Sequence, residues 1–284
     1  MLSGRILLVA FEGWNDATEA ASGALKAIAE QIEAQTLEAV DPEDYYDFQF
    51  SRPMIETDPD GNRVLSWPGT ELMQASPEKI AENPSLDRLY ILLGAEPSRR
   101  WLSFSAEVLE MVQDREIDAV IMLGAMLADA PHTRPMQIFK SSPNQAMLER
   151  FELEPSTYEG PVGILTVLSQ AFESEGIPVL SLWGSVPHYV HNTTNPKAAL
   201  GFLGEILTLT GFGFDTTSLA QQAFDWERSV DDMTQSDEEM ISYVAQLEKA
   251  RDAWDSEQAS GEALAKEFER YLKERPDSPE KPKG

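Results

Sequence analysis

The chain has three histidines, His132, His188 and His191, and all of them fall in loops that follow apolar runs. Near neutral pH a histidine can take or give a proton, hold an anion or ligate a metal, so its neighbours decide its use. His132 sits in Ala128-Asp129-Ala130-Pro131-His132-Thr133-Arg134-Pro135, beside a carboxylate and a guanidinium. His188 sits in Trp183-Gly184-Ser185-Val186-Pro187-His188-Tyr189. Two more loops share this make-up of apolar run, glycine and polar residues. They are Phe11-Glu12-Gly13-Trp14-Asn15-Asp16 and Leu93-Gly94-Ala95-Glu96-Pro97, the second followed by Arg99 and Arg100. If the runs are parallel strands, these loops share the carboxyl edge, where open α/β sheets hold ligands. The candidate pocket or ligand-binding residues are therefore Asn15, Asp16, Glu96, Arg99, Asp129, His132, Arg134 and His188. The chemistry open to them is acid–base catalysis by His132 or His188, with Arg99 or Arg134 holding an anion.

Each of these residues also has a plainer reading. His132, between two prolines, can simply satisfy loop hydrogen bonds, and His188, after Pro187, can do the same. His191 reads as surface. Asp16 is placed to cap a helix, with Glu19 three residues on in a capping-box-like start. Arg134 opposite Asp129 can be a structural ion pair. Glu96 and Arg99 stand where a helix begins, so the helix dipole accounts for Glu96. Familiar catalytic motifs are missing: there is no G-x-S-x-G elbow, H-E-x-x-H, Walker loop or kinase set. Gly211-Phe212-Gly213 has no third glycine and no strand before it, so it is not a dinucleotide fingerprint. His132, His188 and Asp129 lack tight ligand spacing, so no metal and no cofactor is expected. No residue is assigned as catalytic.

The elements that must position these loops alternate. Arg5 to Phe11, Arg88 to Gly94, Asp118 to Ala125 and Ile177 to Trp183 read as strands, the first as one buried on both faces. Ala17, Ala20, Ala21, Ala24, Leu25, Ile28 and Ile32 recur at helical spacing. Helices are also predicted over 100–115, 145–151, 163–175 and 196–210, with Pro196 in the first turn of the last. Thr36 to Val40 and Met136 to Lys140 are shorter strands, and Arg52 to Trp67 reads as a hairpin turning at Asp58-Pro59-Asp60-Gly61. Strand–helix–strand units of this length predict an α/β fold with a mainly parallel sheet covered by helices on both faces. After residue 213 the strand signal stops. Leu219, Ala223, Trp226 and Val230, then Met240, Val244, Leu247 and Trp254, then Leu264, Phe268, Tyr271 and Leu272 mark two or three amphipathic helices. The expected organisation is an α/β core over 1–213, an α-helical C-terminal subdomain over 214–273 and a disordered tail over 274–284.

Composition narrows the function classes. The 284 residues carry a net charge of −27 and no cysteine. That charge repels nucleic acid and anionic membrane surfaces, so neither is an expected partner. Without cysteine there is no disulfide, thiolate nucleophile or cysteine-held metal, which fits a reducing cytoplasm. The opening run Ile6 to Phe11 is followed at once by Glu12 and Asp16, unlike a signal peptide. The longest uncharged run, Ala119 to Ala128, is about half of the roughly 20 residues of a spanning helix. A cytoplasmic protein is expected.

Several segments together resemble one family. Gly13-Trp14-Asn15-Asp16-Ala17 with Glu19-Ala20-Ala21, Gly94-Ala95-Glu96-Pro97 with Trp101 and Phe104, and Ala128 to Pro135 are among them. Gly160-Pro161-Val162-Gly163-Ile164, Ser181-Leu182-Trp183 with Val186-Pro187-His188-Tyr189-Val190, and Asn195-Pro196-Lys197-Ala198-Ala199-Leu200 complete the set. Over roughly residues 5–210 the chain is similar to the bacterial branch of the proteasome assembly chaperone 2 family. The resemblance implies a three-layer α/β/α domain, phosphorylase/hydrolase-like in architecture, that self-associates and has no established reaction. Eukaryotic relatives are non-enzymatic scaffolds that help assemble proteasome rings, some through a C-terminal hydrophobic–Tyr–X tail. This chain ends Lys281-Pro282-Lys283-Gly284, so the resemblance does not extend to that tail. The leading expectation is a non-enzymatic binding or assembly protein, a homo-oligomer with a protein client. The alternative is a small-molecule hydrolase or nucleoside-phosphorylase-like enzyme that uses the carboxyl edge of the sheet.

Overall fold

The apolar run near the N-terminus can be buried only if its strand is covered on both faces. It is. In the computed structural model, which describes residues 1–58 and 61–255, Ile6 to Phe11 form the middle of a seven-stranded sheet and are almost fully inaccessible. In chain order the elements are β1 (Ile6–Glu12), α1 (Ala20–Gln31), β2 (Gln35–Ala39), α2 (Pro42–Tyr45), β3 (Met54–Thr57) and β4 (Arg63–Ser66). They continue with β5 (Thr70–Gln74), α3 (Pro77–Glu82), β6 (Leu89–Ala95), α4 (Trp101–Gln113), β7 (Ala119–Ala128) and β8 (Gln137–Ser141). The remainder are α5 (Gln145–Phe151), α6 (Ile164–Ser174), β9 (Val179–Pro187), α7 (Pro196–Thr210), α8 (Thr217–Thr234) and α9 (Glu238–Asp255).

The main sheet runs β2-β5-β6-β1-β7-β9-β8. The central four strands, β6, β1, β7 and β9, are parallel. Antiparallel strands finish both sides, β5 and β2 beyond β6, and β8 beyond β9. The sequence pattern missed β5, because a five-residue strand with Glu71 between the buried Thr70 and Leu72 gives too short a signal.

Alternation along β1 separates two cores. Ile6, Leu8 and Ala10 face α1 and α7, packing on Ala20, Ala24, Ile28, Phe202 and Ile206. Leu7, Val9 and Phe11 face α4 and α6, packing on Phe104, Val108, Leu168 and Phe172. The fold is three layers, helix on sheet on helix. The alanines of α1 let its backbone lie close to the sheet, as their spacing predicts. Beyond this, α8 packs on α7 and α9 on α8. The third helical stripe, Leu264 to Leu272, and the tail over 274–284 lie outside the described residues, as do Pro59 and Asp60 of the predicted turn.

Gly94 reports on the β5–β6 pairing, where it stands opposite Thr70. A Cβ at Gly94 would lie 2.2 Å from the Gly69 carbonyl oxygen and 2.5 Å from Thr70 Cα, both backbone atoms that cannot swing aside. Gly94→Ala should lower unfolding free energy by about 1–3 kcal/mol in urea titration. Gly204→Ala, on the exposed side of α7 with nothing within 4 Å of its Cβ, should instead raise it by about 0.5–1 kcal/mol.

Candidate functional site

Because β6, β1, β7 and β9 are parallel, the four polar loops do emerge on one edge. The candidate residues on that edge form two groups, and one residue leaves it.

The first group joins β1, β6 and α6. Asn15 is 1% exposed, and its Nδ2 donates to Glu96 Oε1 at 2.7 Å. The same oxygen accepts the Ile164 backbone N–H at 3.0 Å, the first residue of α6. Glu96 therefore serves as an N-terminal anion for a helix, the role its position suggested. The helix is α6, distant in sequence, and not the one that follows it. Gly163 is needed for this approach, since a Cβ there would lie 2.1 Å from Asn15 Oδ1. Asp16 accepts from the N–H groups of Ala21 at 2.7 Å and Ser22 at 3.1 Å. It thus caps α1 from across a 3-10 turn in which Thr18 and Glu19 take left-handed φ values of 60° and 53°. This replaces the Asp16–Glu19 capping box expected from spacing. Burial raises the Asp16 carboxyl above its ordinary pKa, against the pull of the two N–H donors.

Arg99 is not on the rim. It donates to the backbone carbonyls of Glu43 and Asp44, while Arg100 pairs with the Asp44 carboxylate.

The second group lies where β7 and β9 end, and its partners come from α8 and α9. His132 is 2% exposed. Tyr189 accepts from the His132 backbone N–H at 2.9 Å and stands 2.7 Å from its Nδ1, while Nε2 stands 3.0 Å from Asp231 Oδ1 on α8. In the neutral ring these partners fit one tautomer, with the phenol donating to Nδ1 and Nε2–H donating to the carboxylate. Burial pushes Tyr189 up to about 12, so it keeps that proton. Asp231, His132 and Tyr189 thus line up as carboxylate, imidazole and hydroxyl, the order of a catalytic triad. The hydroxyl is an unactivated phenol, and the space beside His132, about 20 Å³, is enough for roughly one water and not for a substrate.

Arg134 reaches α9, not Asp129. It grips Asp252 through two bonds of 2.8 and 2.9 Å and Glu248 at 3.1 Å. Thr133 donates to the same Glu248. Asp129 accepts from Tyr243 of α9 at 3.0 Å and lies 3.5 Å from His188 Nδ1. His188, Tyr189 and Tyr243 meet edge to face. Lys197 ties the His132 carbonyl to Glu227 of α8. His191 is exposed, as expected.

Sequence reasoning singled out the loop half of this network and missed the helical half. One signal was available. Glu227 with Asp231, and Glu248 with Asp252, are like charges one helical turn apart beside the apolar stripes. Such pairs repel unless cations or donors face them. Among the described residues, no three His, Asp or Glu side chains are placed to hold a metal ion. No helix among them is long and apolar enough to cross a membrane.

A separate groove of about 440 Å³ lies along α6 and the ends of β8 and β9, walled by Trp14, Tyr158, Gly163, Thr166 and Trp183. None of its lining residues is Asp, Glu, Lys, Arg or His. It has the size and aromatic character of a small-molecule cleft, but it shares no residue with the histidine network.

Residues 10–234 match the PAC2 family, and the chain belongs to it. A PAC2 family protein from Streptomyces avermitilis is 36% identical, with a TM-score of 0.73, covering 84% of this chain and 99% of its own. The Mycobacterium tuberculosis proteasome-assembly chaperone homologue gives the same identity, TM-score and coverage. A Mycobacterium tuberculosis protein of unknown function shares the fold at 24% identity and a TM-score of 0.80, over 95% of this chain and 89% of its own. No curated protein matches the chain.

Two outcomes follow from the network. His132→Ala leaves Tyr189 and Asp231 without their shared partner and should cost about 1–3 kcal/mol of stability. Arg134→Ala should speed amide exchange within α9 while leaving β1 and β7 as protected as before. Hydrogen-exchange mass spectrometry checks both, and unchanged α9 protection in Arg134→Ala would refute the clamp. Asp16 gives a pH signature. Its native pKa is raised, so the folded chain binds the proton more tightly than the unfolded one. Its favourable contribution is complete below the ordinary carboxylate pKa and is lost as pH rises through the native value. The stability of the wild type relative to Asp16→Asn should fall across that window and level off above it in urea titrations at stepped pH.

Proposed function

We propose that this PAC2 family chain is a chaperone-like binding protein that acts on protein partners, associates with itself and performs no small-molecule turnover. One observation carries the reading. Asp129, His132, Arg134 and His188, the residues best suited to acid–base or anion chemistry, are engaged with one another and with α8 and α9. They act as clasps that hold the C-terminal helices over the sheet edge. A solvent-facing catalytic group would need open space for a substrate, and His132 has almost none.

The relatives support the same direction. The Mycobacterium tuberculosis protein at 36% identity is described as a proteasome-assembly chaperone homologue. Transferred to this chain, that description makes the client a protein. The strong negative charge favours partners with basic surfaces and disfavours nucleic acid and anionic membranes. A cysteine-free chain of this kind suits the cytoplasm.

The alternative of a small-molecule enzyme is tested directly by thermal shift. Nucleosides, sugar phosphates, acyl and peptidyl compounds and divalent metals should leave the melting temperature unchanged. A ligand present at 100 times its dissociation constant adds ~2.7 kcal/mol, a shift of several degrees. A compound that produces such a shift in the wild type, and loses it in His188→Ala and Arg134→Ala, overturns the reading in favour of an enzyme or sensor at this edge.

A further inference from the structure

We infer that the β3–β4 hairpin is an arm covered by a second copy of this chain, which rests on and deepens the self-association proposed above. The two strands form their own sheet and, among the described residues, pair only with each other. Every residue of β3 and three of the four in β4 are exposed. Yet the arm is apolar. Met54, Ile55 and Leu65 are 62%, 59% and 51% exposed, and Trp67 at its root is 50% exposed. Phe50, just before it, is 85% exposed.

The apolar residues occupy both faces. Ile55 stands opposite Leu65, so those two share one face. Met54 and Val64 fall on the other, because successive side chains of a strand alternate. A hairpin meant to lie back on its own body would be apolar on one face only. Pro53 and Pro68 bracket the arm, and Phe48 meets Trp67 edge to face at 4.8 Å where it leaves the body.

The occupant follows from persistence and charge. A lone two-stranded hairpin is marginal in water, so its cover must be present whenever the chain is folded. A second copy meets that condition and a transient client does not. Two copies each carrying −27 repel, and they can meet only where the charge is low. Residues 50–69 hold Arg52 and Arg63 against Glu56, Asp58 and Asp60, so the arm is near neutral. A basic client would instead be drawn to the acidic remainder. Among the described residues each strand of the arm also has one unpaired edge, which lets two arms join edge to edge about a two-fold axis.

The test is the solution mass of the full chain at physiological salt, by sedimentation and light scattering. The wild type should be oligomeric. Ile55→Asp combined with Leu65→Asp should raise its self-dissociation constant by roughly 100-fold or more, as loss of two central anchors implies. Both sites are exposed, so the variant should keep the wild-type circular dichroism and a cooperative melt. Ile55→Cys, in a chain with no other cysteine, should cross-link two copies on oxidation, whereas Ser218→Cys on α8 should not. An oligomer that persists in the double variant, without the Ile55→Cys cross-link, overturns the arm and leaves self-association standing. A monomeric wild type overturns both and assigns the arm to a different protein.

Discussion

Burial of β1 on both faces and along both edges is the constraint from which the rest of the molecule follows. Its six apolar residues, Ile6 to Phe11, have neighbours on every side: β6 and β7 in the sheet, and helices above and below. No polar side chain fits along such a strand, so polar groups collect where it ends. The parallel strands beside it obey the same rule and end on the same edge. That edge therefore gathers Asn15, Asp16, Glu96, Asp129, His132, Arg134 and His188 for topological reasons, whatever they go on to do.

What they go on to do is hold backbone and helices in place. Polar groups brought to the top of a dry sheet must find partners, because an unpaired buried group costs about 1–3 kcal/mol. Glu96 answers both Asn15 and the start of α6, and Asp16 answers the start of α1. On the other half of the edge, His132, Asp129 and Arg134 find theirs on α8 and α9. The geometry of an Asp–His–Tyr chain can thus arise from the need to satisfy buried donors and acceptors. Here the hydroxyl of that order is a phenol that burial keeps protonated, next to an imidazole closed off from solvent.

The surface divides in a comparable way. The chain carries a net charge of −27, which repels its own copies. The near-neutral, two-faced apolar arm and the uncharged aromatic groove beside α6 interrupt that field. Contact surfaces are expected at such breaks, where association loses little to repulsion and gains from burying apolar area.

The sequence by itself determined the α/β alternation, the order of the central strands' polar loops and the presence of helices after residue 213. It could do so because those features rest on local periodicity: six-residue apolar runs such as Ile6–Phe11, and helical stripes such as Leu219, Ala223 and Val230. It also identified the eight candidate residues by type. It could not decide which of them meet. Arg134 reads as a partner for Asp129 nearby in the chain, yet it reaches Asp252, and Arg99 turns away to α2. β5 escaped notice because its few residues become a strand only when β6 and β2 lie beside them. Pairings across more than a hundred residues depend on how layers stack and which loops a helix covers. Only the tertiary structure decided those, because local spacing carries no record of what packs above the sheet edge.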